Sequence, residues 1–152
     1  MDKGIYCLVF ENPACTVRVG ALGPTGFRSG WHIYVGSALG SGGLARLGRH
    51  IALSRDCYKK PKWHVDYLLL DDHFSLRYAV YAPTQERLEC RLAGTLGEPG
   101  IPSFGCSDCR CPSHLLCRET DPRDEIAAAF ASLGLVPVTA TIMSWQRSKG
   151  NL

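Results

Sequence analysis

The chain has 152 residues, 45% of them hydrophobic and 20% charged, with a net charge of +3. That length suits a single domain, residues 1–152, able to bury a core of its own, and the composition is that of an ordinary globular protein. No apolar run approaches the ~20 residues needed to cross a bilayer, and "MDKGIYCLVF" offers neither an apolar signal region nor a small-residue cleavage site; the expectation is a cytoplasmic protein with no membrane partner.

Residues 3–10 and 31–36 alternate as strands do, and "CTVRVG" (15–20) is a third candidate. Ile5, Cys7 and Val9 share one face of the first strand, with Tyr6 and Leu8 on the other; Trp31, Ile33 and Val35 oppose His32 and Tyr34 on the later one. Each tyrosine therefore leaves its strand away from an apolar set, and each has a glycine two residues away, Gly4 and Gly36. "ALGPTGFRSG" (21–30) reads as a Gly/Pro-rich connection.

A helix is predicted at about 43–54, with Leu44, Leu47 and Ile51 as its buried stripe. Arg46 and His50 stand four apart on one flank of it, and Arg49 points away from the stripe. "DCYKKPK" is a basic loop, "WHVDYLLL" (63–70) a short apolar segment, and "SLRYAVYA" (75–82) a strand. Pro83 and Thr84 are predicted to open a helix running to about Leu96, striped by Leu88, Leu92 and Leu96 with Glu89 on its flank. An irregular stretch, "GEPGIPSFGCSDCRCPSHLLC", follows. A last helix is capped by Asp121, has Pro122 in its first position and ends at Gly134; "VPVTATIM" completes the sheet, before a basic tail at 145–152.

Two local features carry chemistry. Arg46, Arg49, Arg55, Lys59, Lys60 and Lys62 are opposed only by Asp56, a pattern that suits either a phosphate-contacting surface or a solvated helix and loop. Eight cysteines without a secretory signal point to thiols or metal rather than to a disulfide framework. Cys7, Cys15, Cys57 and Cys90 read as buried, inert residues. Cys106-x2-Cys109 has the spacing of a zinc knuckle, and Cys111, His114 and Cys117 could complete four ligands for a structural Zn2+.

"GIY" at 4–6, "YVG" at 34–36, Arg46 with His50 in "RLGRH", and Glu89 in "RLECRLA" occur in the order and on the elements of the GIY-YIG endonuclease superfamily, which the chain resembles over residues 4–96. The strings "YVGSA", "RLGRH" and "WHVDYLL" are similar to those of a small prokaryotic branch, some of whose members are fused to endonuclease III-type DNA repair enzymes. The resemblance implies an α+β fold, a small mostly antiparallel sheet flanked by helices. It implies hydrolysis of phosphodiester bonds in DNA with one divalent cation, Mg2+ or Mn2+. By the same resemblance Tyr34 is the general base or water-orienting hydroxyl and Tyr6 its partner. Arg46 stabilises charge on the phosphate, His50 assists it or the leaving group, and Glu89 holds the metal. DNA is the implied partner, together with a repair enzyme such as an endonuclease III-type glycosylase.

The residue types fit that chemistry. In-line attack on a phosphodiester needs a positioned water, neutralised phosphate oxygens and a stabilised leaving group. The planar fork of arginine matches phosphate oxygens, and one carboxylate suits magnesium, which keeps most of its waters. Tyrosine, with a free pKa of about 10, serves as a base only beside both. His64 and Asp66 read as local packing or as support for the site. The competing expectation is a non-catalytic nucleic-acid-binding module of the same fold.

Overall fold

The computed structural model describes residues 2–105 and 111–142. Strand β1 (Gly4–Asn12) is followed by β2 (Cys15–Arg18), β3 (Pro24–Phe27), β4 (Gly30–Ala38), helices α1 (Ala45–Asp56) and α2 (His64–Leu70), β5 (Ser75–Pro83), α3 (Glu89–Leu96), β6 (Leu115–Arg118), α4 (Arg123–Ser132) and β7 (Val138–Thr141). Five strands form an antiparallel sheet in the order β6-β4-β1-β5-β7, and β2 pairs with β3 in a separate ribbon. The fold is α+β. None of its described helices is long and apolar enough to cross a membrane.

The central position of β1 follows from its sequence. From Ile5 to Phe10 every side chain is apolar or aromatic, and all of them are buried. Such a strand is stable only where both faces of the sheet are covered. On one face Tyr6, Leu8 and Phe10 pack with Leu47 and Ile51 of α1, Leu68 of α2, and Phe74 and Phe104. On the other, Ile5, Cys7 and Val9 pack with Ile33, Val35, Leu92 of α3, and Ile126 and Phe130 of α4. The face that carries Tyr6 is thus a second core.

Several boundaries differ from those read along the chain. The connection at 21–30 contains β3, because its glycines and proline allow a tight antiparallel return. The segment at 63–70 is helical, opened by the Asp66 carboxylate, which accepts hydrogen bonds from the Lys62 and Trp63 amides. Pro83 ends β5 rather than opening a helix; Thr84 instead bonds the Glu86 amide in a turn, and α3 begins at Glu89. Pro122 occupies the cap position of α4, while Asp121 still accepts from the Arg123 amide. β6 lies in what reads as irregular chain: Leu115 enters one core and Leu116 the other, so two adjacent leucines serve opposite faces of one short strand.

Candidate functional site

Edge strand β6 pairs with β4 only along Trp31–Tyr34. Beyond it, Val35, Gly36 and Ser37 form one wall of a cleft of about 720 Å³. α1 and α2 supply the opposite wall, and the first turn of α3 closes one end. All five residues assigned to the site by the resemblance line this cleft: Tyr6, Tyr34, Arg46, His50 and Glu89.

The two tyrosines lie on neighbouring antiparallel strands and on the same face, with ring centroids 6.4 Å apart. Tyr6 faces Gly36 directly across the β1–β4 pairing. A Cβ at Gly36 would stand 2.6 Å from both the Cζ and the hydroxyl oxygen of Tyr6, so the hydroxyl end of the Tyr6 ring reaches this position only because residue 36 has no side chain. Gly4 permits a second close approach, since a Cβ there would meet the Ala82 carbonyl at 2.5 Å and the Leu44 side chain at 2.9 Å.

Tyr6 is 2% exposed, and its hydroxyl shares a 2.9 Å hydrogen bond with Nε2 of His50. Burial first, and then the neighbouring Tyr34, push the Tyr6 phenol far above its ordinary pKa; the Arg46 guanidinium opposes this only in part. Tyr6 is therefore a protonated hydroxyl at any working pH. Burial likewise pushes His50 down to about 4, with Arg46, Arg49 and Lys59 acting in the same direction and Asp66 against it. His50 is accordingly a neutral imidazole that fixes Tyr6, and as a protonated group assisting a leaving group it is poorly suited. Tyr34 is half-buried, and its ring meets Phe104 edge-on at 6.2 Å.

Arg46 reaches from the first turn of α1 to donate a 2.9 Å hydrogen bond to the Ser37 carbonyl. This anchors one nitrogen of the guanidinium at the cleft wall. Arg49, Lys62 and Arg87 also line the cleft, and none of the three forms an ion pair among the described residues. The basic segment is thus only partly a cleft surface. Arg55 is paired with Asp56, Lys59 with Asp66, and Lys60 is exposed away from the cleft lining.

Asp66, which reads in the sequence as local packing or as support for the site, organises the segment. It is 1% exposed, and one of its oxygens accepts from Lys59 Nζ and from the amides of Lys62 and Trp63 at 2.9–3.0 Å. Burial pushes its carboxyl upward, but those amides and the Lys59 ammonium outweigh it and hold the group below the usual carboxylate range. His64 Nδ1 accepts from the Gly105 amide at 2.9 Å, which ties α2 to the segment before β6. Asp66 and His64 both line the cleft, and their hydrogen bonds fix α2 to the chain on either side of it.

Glu89 opens α3, where an acidic side chain is favoured by the helix dipole. Its Oε2 is buried with no hydrogen-bond partner among the described residues. A buried carboxylate oxygen left without a partner is costly, and a hydrated divalent cation held by this one carboxylate would satisfy it. The residues present fit such an ion.

The cysteine readings change more. Cys7 is buried, but Cys15 is partly exposed, Cys57 is exposed at the left-handed end of α1, and Cys90 is not an isolated core residue. The structure joins Cys90 to Cys111 as a disulfide, with His114 beside the pair. Cys90, Cys111 and His114 form a cluster that could hold a metal ion. Of the ligands predicted from the loop, Cys106 and Cys109 lie outside the described residues, and Cys117 is elsewhere: its sulfur contacts His32 Nε2 at 3.2 Å, on the other side of β6. Cys90 was missed because it lies 21 residues before Cys111, on another element, with no spacing to mark it.

A family model described as "Domain of unknown function DUF123" matches residues 5–135. No curated protein and no solved structure matches the chain.

Proposed function

The chain belongs to the DUF123 family, and from that premise we propose that it is a metal-dependent nuclease of the GIY-YIG type, hydrolysing phosphodiester bonds in DNA. The observation that carries this is the meeting of Tyr34, Arg46 and Glu89, from three separate elements, on one basic-walled cleft, with the Glu89 Oε2 buried and without a hydrogen-bond partner among the described residues.

Each residue has a task set by its surroundings. Arg46, anchored on Ser37, presents the rest of its guanidinium to phosphate oxygens. Tyr34 places its hydroxyl on the cleft side of β4, where it orients the attacking water. Tyr6 and His50 hold one another and, through the packed tyrosine rings, hold Tyr34; they are positioning residues. Glu89 would hold Mg2+ or Mn2+, which when bound supplies Lewis-acid stabilisation of the leaving oxygen.

The rim favours nucleic acid with unpaired bases. Tyr58 and Trp63 are 52% and 50% exposed and both line the cleft. The Lys62 ammonium sits 5.4 Å from the Trp63 ring centroid. Exposed aromatics interleaved with cations give bases a stacking surface and the backbone a counter-charge. Flapped, branched or damaged DNA offers such bases, which agrees with a role beside a repair enzyme.

The test is cleavage of duplex, flapped, branched and lesion-bearing DNAs with Mg2+, by the natural chain and by Tyr34→Phe. Magnesium-dependent cleavage that Tyr34→Phe abolishes supports the reading. Binding without cleavage indicates the non-catalytic module, and neither binding nor cleavage overturns both.

A further inference from the structure

We propose that Cys90, Cys111 and His114 form a zinc site, distinct from the Glu89 position, that clamps the start of α3 to the segment leading into β6. Their ligand atoms all lie within 4.8 Å of one another. The Cys90 sulfur stands 3.6 Å from His114 Nε2. Zinc bonds of about 2.3 Å to sulfur and 2.0–2.1 Å to nitrogen, opened at a tetrahedral angle, put those two atoms about 3.6 Å apart. Two thiolates and an imidazole are a soft donor set, which selects zinc over the magnesium suited to Glu89.

The pair binds metal in its reduced state. A dithiol reductant delivers two electrons and two protons to the Cys90–Cys111 disulfide, giving two thiols. Zinc then displaces the two thiol protons as the thiolates coordinate it. The disulfide seen here and the zinc-bound thiolates are thus alternative states of one cross-link.

The place of this cross-link gives it a purpose. Cys90 follows Glu89 directly in the first turn of α3. The His114 carbonyl accepts a 2.8 Å hydrogen bond from the Val35 amide, next to Tyr34, and the His114 amide donates to Phe104. Gly105 is packed between the two: a Cβ there would stand 3.3 Å from the Tyr34 ring and 3.2 Å from His114. Metal at the cluster therefore fixes the spacing between Glu89 and Tyr34. That last consequence rests on the nuclease reading, whereas the site itself does not.

The full chain, purified under reducing conditions, is to be assayed for zinc and titrated with Co2+ as a spectroscopic probe. The expected result is one zinc per chain and thiolate-to-cobalt charge-transfer absorption. Cys90→Ser should lose at least tenfold in zinc affinity and weaken that absorption, while Cys117→Ser keeps both. Peroxide, reduced to water as it oxidises the two thiolates, should release the metal with loss of two titratable thiols. Stoichiometric zinc in Cys90→Ser would place the metal on the loop cysteines alone and overturn the proposal, as would equal loss in Cys117→Ser. Absence of thiolate-to-cobalt absorption in the reduced natural chain overturns it without recourse to any variant. None of these readouts requires nuclease activity.

Discussion

The Tyr6 ring lies against residue 36 so closely that a single added methyl group would stand 2.6 Å from its hydroxyl oxygen. Tyr6 and Gly36 are direct partners in the β1–β4 pairing, and the hydroxyl so placed reaches His50 at 2.9 Å. The glycine of "YVG" is thus explained by a side chain on the neighbouring strand.

Gly36→Ala is expected to destabilise the protein by about 1–3 kcal/mol, the usual cost of forcing extra volume into a packed site. Thermal and denaturant unfolding measure it. In a Tyr6→Ala background the same substitution should cost much less, because the atoms it would strike are gone. Equal cost in both backgrounds would mean that the contact does not govern residue 36.

Glu89→Gln removes the charge a divalent cation needs while keeping shape. Cleavage should fall by orders of magnitude and DNA binding should change little. Thermal stability should hold or rise slightly, since Oε2 is buried without a partner among the described residues. Glu86→Gln is the control, because Glu86 is exposed in the turn before α3. Similar loss of cleavage in both variants would trace the effect to the loss of negative charge around the start of α3 rather than to a cation held by Glu89.

Folding stability should decline as the medium turns acid. Burial holds both His50 and His32 near pKa 4 in the folded chain, against an ordinary value of 6.5. Between those values the unfolded chain binds more protons, so stability is complete above pH 6.5 and is lost as pH falls toward 4. Each imidazole accounts for a loss on the order of 3 kcal/mol over that whole range. Denaturant midpoints from pH 7.5 down to 4.5 read it directly. His50→Gln should flatten part of the slope and His32→Gln another part; an unchanged slope in both would assign acid sensitivity to other groups.

At the rim, Lys62→Gln with Arg87→Gln should reduce the salt dependence of DNA binding by roughly one counterion for each charge. Arg55→Gln with Lys60→Gln should leave it nearly unchanged, since Arg55 is paired with Asp56 and neither residue lines the cleft. Trp63→Ala should weaken binding to single-stranded more than to duplex DNA, by about 1–3 kcal/mol for each base it stacks. The paired titrations separate a built interface from a generally basic surface.

Much of the architecture was legible along the chain because it is local. Alternation marked β1, β4 and β5, the leucine stripe marked α1, and Arg46 and His50 met on one flank because they stand one helical turn apart. The face shared by Tyr6 and Leu8 followed from the pleat of the strand alone. Only the tertiary structure decided the rest, because the deciding contacts join residues far apart in sequence. The Tyr6–His50 bond spans 44 residues, and burial at that junction makes Tyr6 a fixed hydroxyl and His50 a neutral imidazole. The start of α3 depended on a Thr84 turn that competes with helix, a choice propensity does not resolve. Cys90 met His114 across 24 residues, while Cys117, nearer in sequence to His114, was carried along β6 to His32. Spacing identifies ligands when they share a loop. When a sheet edge intervenes, the path of the strand decides which side chains meet.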